Sequence, residues 1–415
     1  MYLNDKKKIS CCGCESCRQI CPRQCIEMTF QDDGFSYPVI NEEECIKCNI
    51  CKEACPLEEA KKIVNSPQER ECYYGWHRDG AVRHESTSGG AFSAIAELIL
   101  DDGGSVYGAM FDDKFKICHQ KVRIIDDLWK LRQSKYVQSE TGNCYTEIKE
   151  RLDNSKKVLF CGTPCQVHGL QTFLQKYYEG LVLVDFICHG VTSPLLFKKY
   201  LDSLEKKNKS KVKKFRFRDK VTIRNFSSLA YTTIEFENGK KISSGMNSYL
   251  MSYMKGFMQR ESCEACPYAN LYRWSDITIG DFWGIEAIVP NIKDEFMKGI
   301  SLIMANSRKG REVCNKLTEK MHLFSIDVSD VQKGKNEQLE KPIKKNRHKK
   351  QFYRDVNNMP IQLALIKGIG MGSYLKLLVE EIKNGIRMIF PKNIKNIIFS
   401  LRNHLTTGHN KANQC

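Results

Sequence analysis

No apolar run in this 415-residue sequence approaches the length of about 18 residues that a membrane-spanning helix needs. The first residues, Met1 to Lys6, also lack the apolar core of a secretory signal peptide. From these two absences we expect a protein that neither crosses a membrane nor enters the secretory route. We therefore predict a cytoplasmic location.

Cysteine, by contrast, is abundant, with 20 in the chain. Such a content would suggest disulfides in a small secreted protein, but in a long chain without a secretion signal it indicates metal ligands in a reducing compartment. The hydrophobic fraction of 41% is that of a globular protein. The length suits a small metal-binding module with one large domain or two medium ones.

The formal net charge of +16 favours anionic partners. Nucleic acid, phosphorylated cofactors, acidic ferredoxins and anionic lipid would all satisfy it. An iron-sulfur nucleic-acid enzyme is suggested by this charge alone, because the basic and aromatic recognition motifs of such proteins are absent. We therefore expect no nucleic-acid partner.

Two runs of cysteine, at residues 11–22 and 45–56, have the same spacing. In each run, cysteines separated by two, two and three residues are followed by proline. Bacterial ferredoxins use this spacing for two 4Fe-4S clusters, and the fourth cysteine of each run binds the other cluster. We predict Cys11, Cys14, Cys17 and Cys55 as ligands of one cluster, and Cys21, Cys45, Cys48 and Cys51 as ligands of the second. Zinc is the alternative, but zinc ligands usually come as two separated pairs.

Between the runs, residues 26–30 and 37–40 are predicted to form a hairpin that turns at residues 32–34. Cys12 and Cys25 fall outside the ligand spacing and are predicted to be packing residues. Residues 1–60 would thus form an α+β two-cluster ferredoxin module, and residues 61–70 a polar linker.

A larger domain is predicted over residues 71–300. Small residues at 86–90 precede a predicted helix over 91–100, in which apolar residues recur at helical spacing. A strand is predicted to follow over 105–111. Such a helix start can hold a phosphate of a flavin dinucleotide. An ordinary N-cap is the alternative, and it is favoured by these residues alone because the dinucleotide fingerprint after a strand is missing.

The next segment predicts a strand over 157–160, a helix from Pro164 that ends at Gly180, and a strand over 181–187. Such a unit is a right-handed parallel crossover, so the loops after both strands meet at one edge of an α/β sheet. Cys161, Cys165 and Cys188 therefore converge. A helix N-terminus should lower the pKa of the Cys165 thiol.

Two further cysteines, Cys263 and Cys266, are two residues apart and precede Pro267. With Cys165 and Cys188 they complete the ligands of a third 4Fe-4S cluster, for which Cys161 is a substitute ligand. A redox disulfide or simple packing of these cysteines is the alternative.

An ordered set of motifs then resembles a known family. The motifs lie at residues 88–90, 134–136, 162–166, 188–190 and 263–284. Together they are similar to the beta subunits of the coenzyme F420 hydrogenase/dehydrogenase family, with a ferredoxin domain in front. That family also includes ferredoxin-dependent reductases of plant pigments, so the resemblance does not fix the substrate.

The resemblance implies an oxidoreductase with FAD and an internal 4Fe-4S cluster in the large, partly parallel α/β domain. It implies cofactor contacts at Ser88, Gly89, Gly90, Ser134 and Lys135. Electrons would pass between ferredoxin or another redox protein, the clusters, FAD and a small hydride acceptor such as coenzyme F420. An electron-transfer subunit that serves a partner enzyme, without a substrate site of its own, is the alternative function.

Residues 301–415 are predicted to be a basic, mainly helical extension. Tyr374, Leu375, Leu378, Ile382, Ile386 and Ile389 would lie on one side of a helix with basic residues opposite. A basic amphipathic helix can contact an anionic membrane. Packing on the body of the protein is the favoured alternative.

Overall fold

The computed structural model describes residue 3 and residues 6–60, 70–223, 226–245 and 247–375. Among these residues, none of the helices is long and apolar enough to cross a bilayer. The predicted C-terminal helix beyond residue 375 lies outside the described residues, and so do positions 61–69 of the predicted linker.

The N-terminal region consists of short elements. They are α1 (Ser16–Gln19), β1 (Ile26–Phe30), β2 (Ser36–Ile40), α2 (Ile50–Glu53) and α3 (Pro56–Ala60). The predicted hairpin is confirmed, since β1 and β2 pair antiparallel from Ile26 opposite Ile40 to Phe30 opposite Ser36. Gly34 turns the chain with a φ of +70°, which glycine adopts without steric cost.

Eleven strands follow among the described residues. They are β3 (Glu71–His77), β4 (Ser105–Phe111), β5 (Ile117–Val122), β6 (Val158–Gly162), β7 (Leu181–Phe186), β8 (Val212–Ile223), β9 (Phe226–Phe236), β10 (Lys241–Gly245), β11 (Ile277–Asp281), β12 (Ser301–Ala305) and β13 (Met321–Ile326). Eight of them form the main sheet in the order β13-β3-β12-β11-β7-β6-β4-β5. The central strands β4, β6, β7 and β11 are parallel, and the outer pairs are antiparallel. The fold is therefore α/β with a partly parallel sheet.

The helices after the N-terminal region cover the sheets. They are α4 (Gly80–Glu85), α5 (Ala91–Asp101), α6 (Cys144–Asp153), α7 (Pro164–Leu174), α8 (Pro194–Asn208), α9 (Ser248–Met254), α10 (Lys293–Phe296), α11 (Arg308–Lys316), α12 (Val328–Lys333), α13 (Lys349–Asn358) and α14 (Ile361–Ile369). Strands β8, β9 and β10 form a separate antiparallel sheet. This small sheet shares an apolar core with α8, α9, α13 and α14.

The predicted crossover of β6, α7 and β7 is confirmed, with Val158 parallel to Leu181. Pro164 begins α7, and Thr163 caps it together with Gln166 in a reciprocal capping box. The helix ends at Leu174 and not near Gly180 as predicted. The reason is local, because Gln175 adopts a left-handed φ of +55° and donates its backbone N–H to the Gln171 carbonyl oxygen.

The sequence-based boundary at residue 300 falls inside the main sheet. Strand β12 pairs with β11 on one side and β3 on the other, and β13 pairs with β3. The described part of the predicted helical extension therefore contributes two strands to the sheet. Its helices α13 and α14 complete the core under the small sheet.

The N-terminal region packs on α7, which begins at the carboxyl end of β6. A Cβ atom on Gly169 of this helix would lie 3.1 Å from the Cys14 Sγ atom, so the glycine allows the cysteine loop to approach closely. Thr172 Oγ1 donates to the Ala54 carbonyl oxygen at 2.8 Å. Both cysteine runs are thus held against α7.

Candidate functional site

The first predicted cysteine set, Cys11, Cys14, Cys17 and Cys55, is gathered in the N-terminal region. The Cys17 thiol interacts electrostatically with Cys11 and Cys55, and the Cys14 thiol with Cys17 and Cys55. Burial, followed by these neighbouring thiols, raises the pKa of Cys17 well above its usual range. Lys6 Nζ donates to the Cys55 Sγ atom at 3.0 Å, which places a cation beside the set.

The second predicted set, Cys21, Cys45, Cys48 and Cys51, lies nearer the surface. The Cys51 thiol interacts electrostatically with the other three, and burial followed by these contacts raises its pKa. Cys48 is exposed. Cys25, predicted to be a packing residue, is buried beside this set with its Sγ atom 3.5 Å from that of Cys21. The structure therefore brings the members of each predicted set together, and their binding of two clusters stays a prediction.

The third predicted set joins loops from the main domain. Cys165 lies in the first turn of α7, Cys188 follows β7, and Cys263 and Cys266 come after α9. The Cys188 thiol interacts electrostatically with Cys263 and Cys266, and the Cys165 thiol with Cys266. Four cysteines that are distant in sequence are thus close in space.

Cys12 stands between the first set and the third. Cys12 does more than the predicted packing, because its thiol also makes hydrogen-bond contacts with both Cys14 and Cys165. The expected lowering of the Cys165 pKa is wrong for the same reason. The hydrogen bond with Cys12, and then burial, raise the pKa of Cys165 well above its usual range.

Cys161 is separate from these thiols. Its carbonyl oxygen lies 3.1 Å from the His119 Nε2 atom, and its side chain packs against the apolar core between the main sheet and α5. The neighbours that shift its pKa are Lys135 and Asp185, while burial raises that pKa to about 12. The structure therefore places Cys165, and not Cys161, with the third set.

A cavity of about 420 Å³ opens at the carboxyl edge of the main sheet. Its wall includes the ends of β6, β7 and β11 and the loops that follow them. Of the predicted cofactor residues, four line the cavity, namely Ser88, Gly90, Ser134 and Lys135. Cofactor sites in proteins have volumes of this order, roughly 300 to 1,000 Å³.

Gly89 is the predicted cofactor residue that is not in the cavity wall. A Cβ atom here would lie 2.4 Å from the Gly75 carbonyl oxygen. Its own carbonyl oxygen accepts a hydrogen bond of 2.8 Å from the His77 backbone N–H. Gly89 therefore serves the close packing of its loop on β3.

Lys135 is buried in the cavity wall. Its ammonium group donates to the carbonyl oxygens of Leu131, Arg132 and Gln133 at 3.4, 2.8 and 3.1 Å. Burial lowers the pKa of Lys135 to about 7. Its three acceptors are all backbone carbonyl oxygens and its pKa lies near neutral pH, so Lys135 is only partly charged and offers no free donor to a ligand.

His119 lines the cavity and was not predicted from the sequence. Its Nε2 atom lies 3.1 Å from the Cys161 carbonyl oxygen, and its ring stacks on Phe160. Burial lowers its pKa to about 4, so the ring is neutral at neutral pH. A neutral ring that donates from Nε2 leaves Nδ1 as an acceptor, and Nδ1 has no partner in the described part of the chain.

Arg218, Asp281 and Trp283 form another part of the wall. Arg218 Nη1 lies 2.5 Å from Asp281 Oδ2, and the guanidinium is 5.2 Å from the centre of the Trp283 ring. Burial disfavours this charge, but the Asp281 carboxylate raises the pKa of Arg218 above its ordinary value. Asp281 and Trp283 lie within the last family motif, whereas Arg218 had no sequence signal beyond the alternation in its strand.

Cys188 connects the two kinds of site. It belongs to the third cysteine set, and it also lines the cavity next to His189 and Gly190. A predicted cluster ligand and a space large enough for a cofactor therefore share one residue.

Comparison with known proteins finds family matches for two segments of the chain. Residues 155–330 match the family defined by the C terminus of the coenzyme F420 hydrogenase/dehydrogenase beta subunit. This segment therefore belongs to the F420 hydrogenase/dehydrogenase beta subunit family. Residues 38–58 match the 4Fe-4S binding domain. The resemblance stated from the motifs is thereby confirmed.

Individual relatives are more distant. The chain is 22% identical over 356 residues to a coenzyme F420-dependent sulfite reductase of Methanocaldococcus jannaschii, in a match that covers 82% of this chain and 51% of that protein. The chain thus spans about half the length of this curated relative. A solved structure of the F420-reducing [NiFe] hydrogenase complex from Methanosarcina barkeri, derivatised with xenon, aligns with a TM-score of 0.44 and 15% identity over 72% of this chain and 97% of that chain.

The F420 hydrogenase/dehydrogenase beta subunit segment contains the whole third cysteine set, together with Arg218 and Asp281. The 4Fe-4S match contains the second cysteine run but not the first. Ser88, His119 and Lys135 precede the matched segment. The cavity is therefore built partly by residues of the family segment and partly by the β3 to β5 region in front of it.

Proposed function

We propose that this chain is an iron-sulfur flavoprotein oxidoreductase that passes electrons between 4Fe-4S clusters, FAD and a small hydride-accepting substrate. The observation that carries the proposal is the position of Cys188, in both the third cysteine set and the cavity wall. The 4Fe-4S domain match and the family of residues 155–330 support it.

The donors fit 4Fe-4S clusters. Each of the three sets supplies four cysteines, and every cysteine in the described ranges is a free thiol. Thiolates are the usual ligands of such clusters. No three His, Cys, Asp or Glu side chains among the described residues lie close enough to share one metal ion. A cube of four irons requires a wider spacing of its sulfur ligands than a single ion does.

The cavity fits a flavin dinucleotide. Helix α5 begins at the cavity wall with Gly90 as its N-cap, so no N-cap side chain covers the backbone N–H groups of its first turn, although the Ala91 N–H already donates to Ser301 Oγ at 3.4 Å. Such N–H groups bind phosphate. His119 Nδ1 is a buried acceptor that a ligand N–H would satisfy. When bound, a flavin exchanges single electrons for a hydride pair.

The three cysteine sets follow one another from the surface to the cavity. Cys48 of the second set is exposed. Cys17 of the first set interacts electrostatically with Cys51 of the second, and Cys12 contacts Cys165 of the third. A ferredoxin or another redox protein would exchange electrons at the exposed end, and the net charge of +16 favours an acidic partner.

The substrate would bind at the Arg218 side of the cavity. Trp283 offers a ring for stacking, and the Arg218 guanidinium is held in place by Asp281. A planar, anionic hydride acceptor suits these groups. Coenzyme F420 is proposed as one such acceptor because it appears in the names of the relatives.

A relay subunit is the second candidate function. The chain covers only 51% of the sulfite reductase relative, so about half of that protein has no counterpart in the matched region. In this case the chain would pass electrons to a partner enzyme without a substrate site of its own. The flavin content distinguishes the two candidates.

Iron, sulfide and flavin contents of the anaerobically purified chain test the proposal. About twelve irons and one flavin per chain are expected, and Cys165→Ser should remove about four of these irons. Cys161→Ser is the matched control and should keep them, because Cys161 lies away from the third set. About eight irons and no flavin in the unmutated chain would reject the flavoprotein and leave the relay.

A further inference from the structure

Arg260 joins the main domain to the first cysteine set, and its exposed fraction is 0%. Its Nε atom donates to the Cys11 carbonyl oxygen at 2.7 Å, and Nη2 donates to the Ser36 carbonyl oxygen at 2.9 Å. Nη1 donates to Gln138 Oε1 at 2.9 Å. Nη2 also lies 3.5 Å from the Cys11 Sγ atom, so the guanidinium touches a predicted cluster ligand.

Two aromatic rings of the N-terminal region enclose the same guanidinium. Its central carbon is 4.1 Å from the centre of the Tyr37 ring and 5.3 Å from that of Phe35. These rings exclude water and contribute cation-π attraction. The hydrogen bonds and rings hold Arg260 in a fixed position, but they bring no negative charge.

The charge of Arg260 therefore needs an anion. Arginine stays protonated in proteins, and a buried charge without a counter-ion is strongly unfavourable. Within the described residues, none of the hydrogen bonds or ion pairs of Arg260 is to a carboxylate. Burial disfavours the charge of Arg260, and the neighbouring groups that favour it are Cys11, Tyr37, Cys12 and Cys263. Of the first cysteine set, Cys11 is the member that the guanidinium contacts.

Other buried arginines of this protein differ in this respect. Three of them lie within 4 Å of a carboxylate, namely Arg83 with Glu295, Arg218 with Asp281 and Arg273 with Asp185. The fold thus pairs these buried cations with acids but pairs Arg260 with a cysteine. A cube bound by four thiolates carries net negative charge, which supplies the missing counter-ion.

We infer that Arg260 is the built-in counter-ion of the cluster held by the first cysteine set and that it raises the reduction potential of that cluster. The inference rests on the proposed function, which places a cluster there. Reduction adds one negative charge, and a nearby buried cation stabilises the more negative form. Arg260 is a positioning residue, since it acts through Cys11 and does not touch a substrate.

Gln138 offers a matched control at the same loop. Its Nε2 atom donates to the carbonyl oxygens of Cys12 and Gly13, both at 3.1 Å. Gln138→Met removes these contacts and the contact with Arg260 Nη1, yet it leaves the charge. Arg260→Met removes the charge, and Arg260→Lys keeps a charge while it loses the planar hydrogen-bonding geometry.

The experiment is a redox titration of the full-length holoprotein followed by electron paramagnetic resonance, with iron counted for each variant. Cys11→Ser identifies the signal of the first-set cluster by its loss. For that cluster, Arg260→Met should lower the reduction equilibrium constant at least tenfold, which is 59 mV for one electron. Arg260→Lys and Gln138→Met should shift it by less than tenfold.

The outcomes test the role of the Arg260 charge separately from the assignment of the cluster. A shift below tenfold in Arg260→Met, or equal shifts in Arg260→Met and Arg260→Lys, would overturn the role of the charge. If Arg260→Met loses about four irons while Arg260→Lys keeps them, the need for a cation is supported; loss from both variants would overturn it. Equal iron contents in the unmutated chain and Cys11→Ser would instead reject the cluster assignment, and the inference with it.

Discussion

His119 is a buried side chain of the cavity wall with one ring nitrogen left without a partner among the described residues. Its ring is held by the Cys161 carbonyl oxygen on one side and by the face of Phe160 on the other. The remaining ring nitrogen, Nδ1, has no partner in the part of the chain that the structure describes. Burying such an acceptor costs free energy that a ligand donor would recover. The same burial keeps the ring neutral.

The lowered pKa of His119 predicts a loss of stability in acid. The ordinary value is 6.5 and the folded value about 4, so between these pH values the unfolded chain binds a proton that the folded chain does not. Stability conferred by the neutral ring is full above pH 6.5 and falls as the pH decreases toward 4, by roughly 2 kcal/mol at pH 5. His119→Gln should therefore lose less stability than the unmutated chain between pH 7 and pH 5, as measured by thermal unfolding. Exposed His84→Gln is the control and should behave like the unmutated chain; equal acid losses in all three would contradict the prediction.

The spacing of the two cysteine runs was enough to predict which cysteines lie near one another. Cys55 interacts with Cys17, and Cys21 with Cys51, as that spacing requires. That these cysteines bind clusters stays a prediction. Arg260 and His119 gave no such signal, since each acquires its role only when residues more than 40 positions away in sequence come into contact with it. Their chemistry depends on burial and on partners, which spacing does not encode.

At the scale of helices and strands, the sequence predicted the elements that are determined by interactions between residues close together in the chain. The β6, α7 and β7 crossover and the β1 to β2 hairpin follow from apolar periodicity and turn residues, and both are present. The place of β12 between β11 and β3 was not predictable in this way. Strand order depends on long-range pairing, and a single short apolar strand fits several positions in a sheet.

The loop of the first cysteine run depends on Gly13. Its φ is +68°, and a Cβ atom would lie 2.3 Å from Gln138 Nε2 and 2.8 Å from Arg260 Nη1. Gly103 has a similar φ of +70° but no atom within 4 Å of such a Cβ, so it is the matched control. Gly103→Ala should cost about 1 kcal/mol for the left-handed backbone, and Gly13→Ala about 3 kcal/mol because overpacking is added.

Thermal unfolding midpoints and iron contents measure this difference. Gly13→Ala should unfold at a lower temperature than Gly103→Ala and should retain less iron, since the loop carries Cys11 and Cys14. Equal midpoints with full iron in both variants would show that the loop can move away from Gln138 and Arg260 without cost.

For the whole molecule, the junction between the N-terminal region and the main domain is polar and charged at its centre. Arg260 and Gln138 reach from the main domain to the carbonyl oxygens of the first cysteine loop. Thr141 donates to the adjacent turn twice, from its backbone N–H to Glu15 Oε1 and from its Oγ1 to the Cys14 carbonyl oxygen, both at 3.0 Å. If the first cysteine set holds a cluster, as proposed, that cluster is the anion that balances Arg260, and cluster binding and docking of the two parts should then be coupled.

Removal of iron with a chelator should therefore loosen the junction before it affects the main sheet. Without the cluster, Arg260 is left as a buried charge with too little negative charge around it, and the cheapest relief is to expose it to water. We expect hydrogen exchange to increase in residues 11–21 and 258–266, while β6 and β7 stay protected because their side chains are packed in the apolar core. In Arg260→Met the same treatment should loosen the junction less, since no buried charge remains to be solvated. An equal increase across β6, β7 and the junction, or an identical response in both proteins, would mean that the cluster supports the whole fold by its covalent ligands and that the cation has no part in docking.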